Sequence, residues 1–291
     1  MVRLRAELIP TIPTPARIVA RNAVWTYGRA TAAVRPLPDF LIIGAQKAGT
    51  TALYSYLRDH PAIAGPPWKE VSFFDRHFWR GGAWYRGHFP NKLYLRRTRA
   101  RVGVEPIVGE ASPSYVFHPL APQRVAALVP DVRLIVLVRN PVDRALSHYH
   151  HEVALGREPL PFEEALEQED ARLEGELERM LEPRYFSHAW WNFTYRARGR
   201  YAEQLERWLD LFPSERLLVV PSEDLLDRPA ETYGQVLEFL DAPPHELESY
   251  PRVFERAYAE MDPRTRGELR DHFAEPNRRL YELVGRDLGW R

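Results

Sequence analysis

Two groups of residues have the types and spacing that hold phosphate. The first is Gly44-Ala45-Gln46-Lys47-Ala48-Gly49-Thr50-Thr51. Small side chains at 44, 45, 48 and 49 let main-chain N–H groups close on an anion, Lys47 adds an ammonium, and Thr50 and Thr51 add hydroxyl donors. The second begins at Arg139-Asn140-Pro141 and runs into a helical pattern that carries Ser147. A guanidinium with a hydroxyl suits a phosphate monoester. Two separate anion sites on neighbouring strands predict a ligand phosphorylated at both ends.

Neither group fits a magnesium-dependent NTPase. The first has the glycine spacing of a GxxxxGK loop followed by Ser or Thr, but Thr50 stands where that loop has its lysine. The apolar run RLIVLVR, 133–139, ends in Arg139 and not in a metal-binding aspartate. A P-loop nucleotide kinase or hydrolase is therefore the alternative reading, with a non-catalytic nucleotide-binding module as a third. Magnesium dependence separates the first of these from a phosphate site that works without metal. His148-Tyr149-His150-His151-Glu152 lacks the second histidine of an HExxH zinc site, and a polar helix face explains it more simply. No metal is expected.

Composition narrows the field further. Among 291 residues, 45% are hydrophobic and 27% charged, which is ordinary for a globular chain. Forty basic and forty acidic side chains cancel, which argues against a general nucleic-acid or anionic-membrane binder. There is no cysteine, so thiolate metal sites, disulfides and cysteine nucleophiles are excluded. Only three of the 40 cations are lysines: Lys47, Lys69 and Lys92. In a chain that otherwise uses arginine, a retained lysine marks a place where a compact ammonium matters; Lys92 is read as chance. The longest apolar stretch, Leu134 to Val138, is of strand length, and the N-terminus has no apolar signal core. A cytoplasmic location without a transmembrane segment is expected.

These groups need a scaffold. Phe40–Ile43 reads as a buried parallel strand, followed by the glycine loop and a helix over Thr50–Asp59. Val108-Gly109-Glu110 begins a second apolar element, Arg133–Arg139 is a strand, and Val142–Leu155 is a helix opened by Asn140-Pro141. Further helices are expected over Gln123–Val129, Tyr201–Phe212, Tyr233–Leu240 and the tail after Pro263, with a strand at Arg216–Val220. An acidic helix over Phe162–Leu181 reads as a solvated face. Strands alternating with helices predict an α/β fold of three layers around a central parallel sheet. One domain is expected over 38–291, preceded by an N-terminal arm, 1–37, with an amphipathic helix over Ala16–Val34.

In order along the chain, GAQKAGTTAL, WKEVSFFD, GEASPSY, RLIVLVRNPVDRALSHY, RGRYAEQLERWLDLFP, LLVVPSEDLLDRP and NRRLYELVGRDLGW resemble the PAPS-dependent sulfotransferases. The branch with the heparan sulfate N- and O-sulfotransferase domains and their bacterial relatives is the most similar. The resemblance implies a P-loop-like fold and 3′-phosphoadenosine 5′-phosphosulfate (PAPS) as donor. It implies that Gln46, Lys47, Ala48, Gly49, Thr50 and Thr51 hold the 5′-phosphosulfate and that Arg139 and Ser147 hold the 3′-phosphate. Tyr201 and Arg256 join the nucleotide site, Arg256 standing in with Arg252 for a basic loop of the family that is absent here. Sulfuryl transfer needs a cation at the leaving oxygen and a base at the acceptor. Lys47 and Glu70 are the candidates, with His77 and His118 next as base. A plain surface Lys–Glu pair is the other reading of Lys69-Glu70. The acceptor is read as a carbohydrate or small molecule bearing a hydroxyl or amine. Ser72 and Ala111 replace a histidine and a lysine of the 3-O-sulfotransferase pattern, so an acceptor less anionic than heparan sulfate is expected. Nine aromatic residues between 68 and 94, with Trp190-Trp191, are expected to border its cleft. Oligomeric state is left open.

Overall fold

The structure, a computed structural model, describes residues 26–182, 184–252 and 261–290. Five strands form its sheet: β1 (Phe40–Gly44), β2 (Ile63–Ala64), β3 (Ile107–Ala111), β4 (Arg133–Val138) and β5 (Leu217–Pro221). Their order is β2-β3-β1-β4-β5, and every pair is parallel. Parallel neighbours require crossovers, and helices supply them. The principal helices are α1 (Thr50–Asp59), α2 (Lys92–Val102), α3 (Ala121–Leu128), α4 (Pro141–Ala154), α5 (Tyr201–Leu209), α6 (Pro229–Phe239) and α7 (Pro263–Val284).

The unbroken apolar runs of β1 and β4 follow from their position. Both are central, covered on both faces, and Phe40–Ile43 and Leu134–Val138 are all buried. β1 pairs with β3 on one side and β4 on the other, so chain order reverses beside β1. In a parallel sheet the carboxyl ends of strands at such a reversal open a crevice. The glycine loop leaves β1 there and Arg139 leaves β4 there. α5 buries Tyr201, Leu205 and Trp208 along one face, and the Trp208 indole donates to the Val116 carbonyl at 3.3 Å. A second apolar cluster, which includes Val142, Ala145, Phe162, Tyr195 and Phe273, packs α4 from outside.

Most expected elements appear within a few residues of their expected ends. The acidic helix does not: it divides into Phe162–Glu167, Glu169–Leu173 and Glu176–Arg179. The break has a cause in its own carboxylates. Glu169 turns inward and accepts from the N–H groups of Arg196 (2.7 Å) and Ala197 (2.8 Å). Glu176 accepts from the Tyr185 hydroxyl at 2.8 Å, and Gly175 supplies the left-handed link at φ 70°. The run is thus no uniformly solvated face. β2 is too short to show in the sequence, and α2 has too few buried positions. Of the helix expected over Ala16–Val34, the part before residue 26 lies outside the described residues. Residues 26–30 are helical, and Ala32–Val34 form a 3-10 turn.

Candidate active site

The anion loop is shaped by its glycines. A Cβ on Gly44 would stand 2.2 Å from Cγ1 of Val116, so only glycine lets the end of β1 pass that side chain. The chain then turns left-handed at Lys47 (φ 71°) and at Gly49 (φ 91°), which caps α1. Between them the N–H of Ala48 closes a turn onto the Ala45 carbonyl at 3.1 Å. α1 begins at Thr50, and the first-turn N–H groups of a helix lack intrahelical acceptors. Those groups and the positive end of the helix dipole face the loop.

Arg139 joins this loop directly. Its Nη1 donates to the carbonyl of Lys47 at 3.2 Å. Its own main chain is held by the buried Tyr201 hydroxyl, which donates to the Arg139 carbonyl at 2.9 Å. Tyr201 thereby fixes where the guanidinium starts. Asn140 caps α4 by accepting from the Val142 N–H at 3.0 Å. Ser147 lies buried on that helix, about two turns from the cap. Arg256 lies outside the described residues.

Lys69 binds the other side of the loop. Its ammonium donates to the hydroxyls of Thr50 (3.0 Å) and Thr51 (2.9 Å). It also lies 3.9 Å from the Glu70 carboxylate. Lysine scarcity points at Lys69, but no motif assigns it a role of its own. Burial pulls its pKa down to about 8, against the raising effect of Glu70. Burial pushes Glu70 upward, opposed by Lys69, Arg198 and Arg76. Lys69 is half-buried and Glu70 lies at the surface beside it, so the pair sits at the rim of the loop.

Behind Glu70 stand two further carboxyls. Asp75 is raised to about 7 by burial and then by Glu70. Glu110 is also raised to about 7 by burial, and it accepts from the hydroxyls of Tyr85 (2.9 Å), Ser112 (2.8 Å) and Tyr115 (2.8 Å). Ser112 and Tyr115 in turn accept the N–H groups of Ser72 (3.0 Å) and Phe73 (2.8 Å). Glu110 therefore anchors the segment that carries Glu70. The buried Arg198 supplies countercharge: its Nε donates to Thr194 Oγ1 at 2.7 Å and its guanidinium lies 4.6 Å from the Phe117 ring centre.

A sulfotransferase domain model matches residues 37–260 of this chain. The chain belongs to the sulfotransferase family. It is 33% identical over 282 residues to human heparan sulfate glucosamine 3-O-sulfotransferase 6, across 88% of this chain and 74% of that protein. It is 35% identical over 219 residues to human bifunctional heparan sulfate N-deacetylase/N-sulfotransferase 3, across 72% of this chain and 23% of that longer protein. The crystal structure of a sulfotransferase from Alicyclobacillus acidocaldarius superposes with a TM-score of 0.66 at 35% identity, covering 88% of this chain and 99% of that one.

Enzymes of this family take PAPS as donor, and the donor set of this sulfotransferase fits it. One group of cation, hydroxyls and helix N-terminus follows β1, and an arginine with a helix-borne serine follows the neighbouring β4. These are the donor types that the two ends of a doubly phosphorylated nucleotide require.

Other candidate residues fall elsewhere. Burial holds His77 down at about 4 and His118 at about 3, so both are neutral near pH 7 and weak as bases. His148 and Glu152 are buried 3.6 Å apart, and burial with the nearby Arg144 keeps His148 far below its ordinary value. Ser72 and Ala111 are buried. Of the nine aromatics between 68 and 94, Phe73, Phe74, Tyr85 and Phe89 belong to the core, while Trp68, Phe78, Trp79 and Tyr94 are exposed. The sequence reading missed Asp75, Glu110 and Arg198. Glu110 had a signal, as a lone acid at the end of an apolar run; Arg198 had none among so many arginines. Among the described residues no helix is long and apolar enough to cross a membrane.

Proposed function

We propose that this sulfotransferase moves the sulfuryl group of PAPS to a hydroxyl or amine of a carbohydrate acceptor by in-line displacement, with Glu70 as base. The observation that carries this is the double hydrogen bond from Lys69 to Thr50 and Thr51, because it ties the segment bearing Glu70 to the phosphate loop. Gln46, Lys47, Ala48, Gly49, Thr50 and Thr51 would hold the 5′ end of the donor, and Arg139 and Ser147 the 3′-phosphate. Negative charge grows on the leaving oxygen during transfer, and Lys47 and Lys69 supply ammonium groups on that side. Glu70, raised by burial, takes the acceptor proton; a carboxylate moved toward neutrality is a better base than an ordinary one.

The acceptor side is walled by Arg76, whose guanidinium lies 4.3 Å from the Phe186 ring centre and 4.9 Å from that of Trp191. Arg184 stands 4.9 Å from the ring centre of Trp79. Exposed rings interleaved with arginines suit the flat faces and anionic substituents of a glycan. Similarity to enzymes named for heparan sulfate supports the same class. These arginines supply cations that Ser72 and Ala111 do not.

The test is transfer of labelled sulfate from PAPS to a panel of neutral and anionic oligosaccharides, repeated with Glu70→Gln. General-base removal typically costs ~10²–10⁴-fold. The proposal expects a loss of that size with unchanged affinity for 3′-phosphoadenosine 5′-phosphate. Near-full turnover by Glu70→Gln would place the base elsewhere. Transfer to phenols but to no oligosaccharide would remove the glycan assignment.

A further inference from the structure

The zero net charge conceals a strong division. Residues 1–102 hold 17 of the 40 basic side chains and five of the 40 acidic ones; residues 103–291 hold the other 23 and 35. In the acidic part the arginines are paired locally, as in Arg279–Glu206, Arg278–Glu282 and Arg286–Asp224. In the basic part, among the described residues, Arg99 with Glu105 is the arginine ion pair, and α2 shows the imbalance most clearly.

α2 reads KLYLRRTRARV, with five cations and no acid in eleven residues. Thr98 is buried and Leu95 is packed against the core, so the face carrying 95, 98 and 102 looks inward. At 3.6 residues per turn, Leu93, Arg96, Arg97 and Arg101 then look outward. Among the described residues, Arg99 pairs with Glu105 at 3.0 Å, and the other four cations have no acidic partner. Lys92 and Arg96, and Arg97 and Arg101, stand one turn apart as like charges, which destabilises a helix. Among the described residues no carboxylate is paired with these four cations to offset that repulsion. Two large apolar side chains lie among these cations: Leu93 is 56% exposed and Tyr94 47%. Tyr27 is exposed beside them, its hydroxyl accepting from Asn91 Nδ2 at 3.1 Å where α2 begins.

We propose that α2 is a docking surface for an anionic lipid bilayer. Long arginine stems with charged heads, next to exposed leucine and tyrosine on a convex helix, match the headgroup boundary of a membrane. Each arginine or lysine near an anionic leaflet adds electrostatic attraction, and together they compensate the like-charge strain within α2. A glycan would be met more naturally by a groove, and by ring faces rather than by Leu93. The docking is peripheral and needs no spanning helix.

The experiment is co-sedimentation of the full chain with phosphatidylcholine vesicles, with and without ~30% phosphatidylserine, at ~0.1 M and ~0.5 M salt. Binding should require phosphatidylserine and weaken at high salt. Arg96→Glu with Arg97→Glu and Arg101→Glu should reduce binding by roughly a hundredfold or more, while the triple lysine variant keeps it. Leu93→Ala with Tyr94→Ala should weaken it severalfold. Unchanged affinity for 3′-phosphoadenosine 5′-phosphate in each variant shows that the fold is intact. The proposal is overturned if the charge-reversed variant binds vesicles as the parent does, or if phosphatidylcholine alone suffices. It is also overturned if vesicles fail to bind while a heparin oligosaccharide binds through the same three arginines, which would make α2 a glycan surface.

Discussion

The ammonium of Lys69 lies 2.9 Å from the hydroxyl of Thr51, and the same ammonium reaches Thr50 at 3.0 Å. Thr50 and Thr51 open α1, whose N-terminus faces the anion loop, whereas Lys69 immediately precedes the candidate base. One side chain therefore sets the distance between the donor end and the acceptor end of the site. The Ser72 and Phe73 N–H groups provide a second hold from behind, through Ser112 and Tyr115.

Replacing Lys69 tests that coupling. Lys69→Met removes a cation and two charge-assisted hydrogen bonds, each worth ~1.5–3 kcal/mol in a buried setting. We expect kcat/KM for PAPS to fall by about a hundredfold or more. Lys69→Arg should fall between the two, since a planar fork does not serve two adjacent hydroxyls from one point. Steady-state rates at saturating acceptor give the ranking, and a methionine variant within about threefold of the parent would contradict it.

The same pair sets a pH profile. Glu70 must be ionised to accept a proton, and burial raises its pKa, so the acid limb should lie above the ordinary glutamate range. Lys69 must be protonated to donate, and its pKa is lowered to about 8, so activity should decline above that pH. The expected profile of kcat/KM is a bell. Lys69→Arg keeps its charge and should lose the alkaline limb. Lys69→Met removes the largest influence holding Glu70 down, so its acid limb should move to higher pH. An acid limb that stays in place in Lys69→Met would separate the two groups.

What could be read in advance follows from how local each signal was. The runs FLIIG and RLIVLV announce buried strands because a central parallel strand is apolar on both faces. The glycine loop and Arg139 stood out as candidate anion sites because residue type and following helix were both in the sequence. Their placement on neighbouring strands was expected as well, and β4 does cross the sheet to pair with β1; the contact of Arg139 with the Lys47 carbonyl was not legible, since it depends on how the two loops turn after those strands. The roles of Glu110 and Arg198 are tertiary in the same way. Glu110 becomes an anchor only when Tyr85 from a distant segment joins Ser112 and Tyr115 around it. The division of the acidic helix was hidden because Glu169 looks like any surface glutamate until the main chain at 196–197 is brought to it.

Tyr201 offers a test of how Arg139 is held. Tyr201→Phe keeps the ring in the core and removes the hydroxyl that donates to the Arg139 carbonyl. A neutral hydrogen bond is worth ~0.5–1.5 kcal/mol, which corresponds to roughly three- to tenfold in affinity. With Arg139 at the 3′-phosphate as proposed, the loss should appear for 3′-phosphoadenosine 5′-phosphate and not for 5′-AMP. Calorimetry without magnesium measures both. Equal losses for the two nucleotides would mean that Tyr201 acts on the adenosine or on folding instead.

Glu110 links the site to stability. Its folded pKa is raised to about 7, well above that of a glutamate in an unfolded chain, so the folded protein keeps a proton that the unfolded one releases. Between about pH 4.5 and 7 the native state binds more protons, and stability from this group falls as pH rises through that window. A shift of this size bounds the effect at about 3 kcal/mol. Glu110→Gln cannot ionise and retains a carbonyl for the tyrosine hydroxyls. It should therefore be no more stable than the parent at pH 5, and should gain on it by roughly 1–3 kcal/mol by pH 8. Urea unfolding of both proteins at the two pH values gives the difference. Asp75, His77 and the other shifted groups are present in both proteins and drop out of the comparison. A gap between parent and variant that is the same at pH 5 and pH 8 would show that Glu110 is ionised in the native state throughout, with its three hydroxyl donors outweighing the cost of burial.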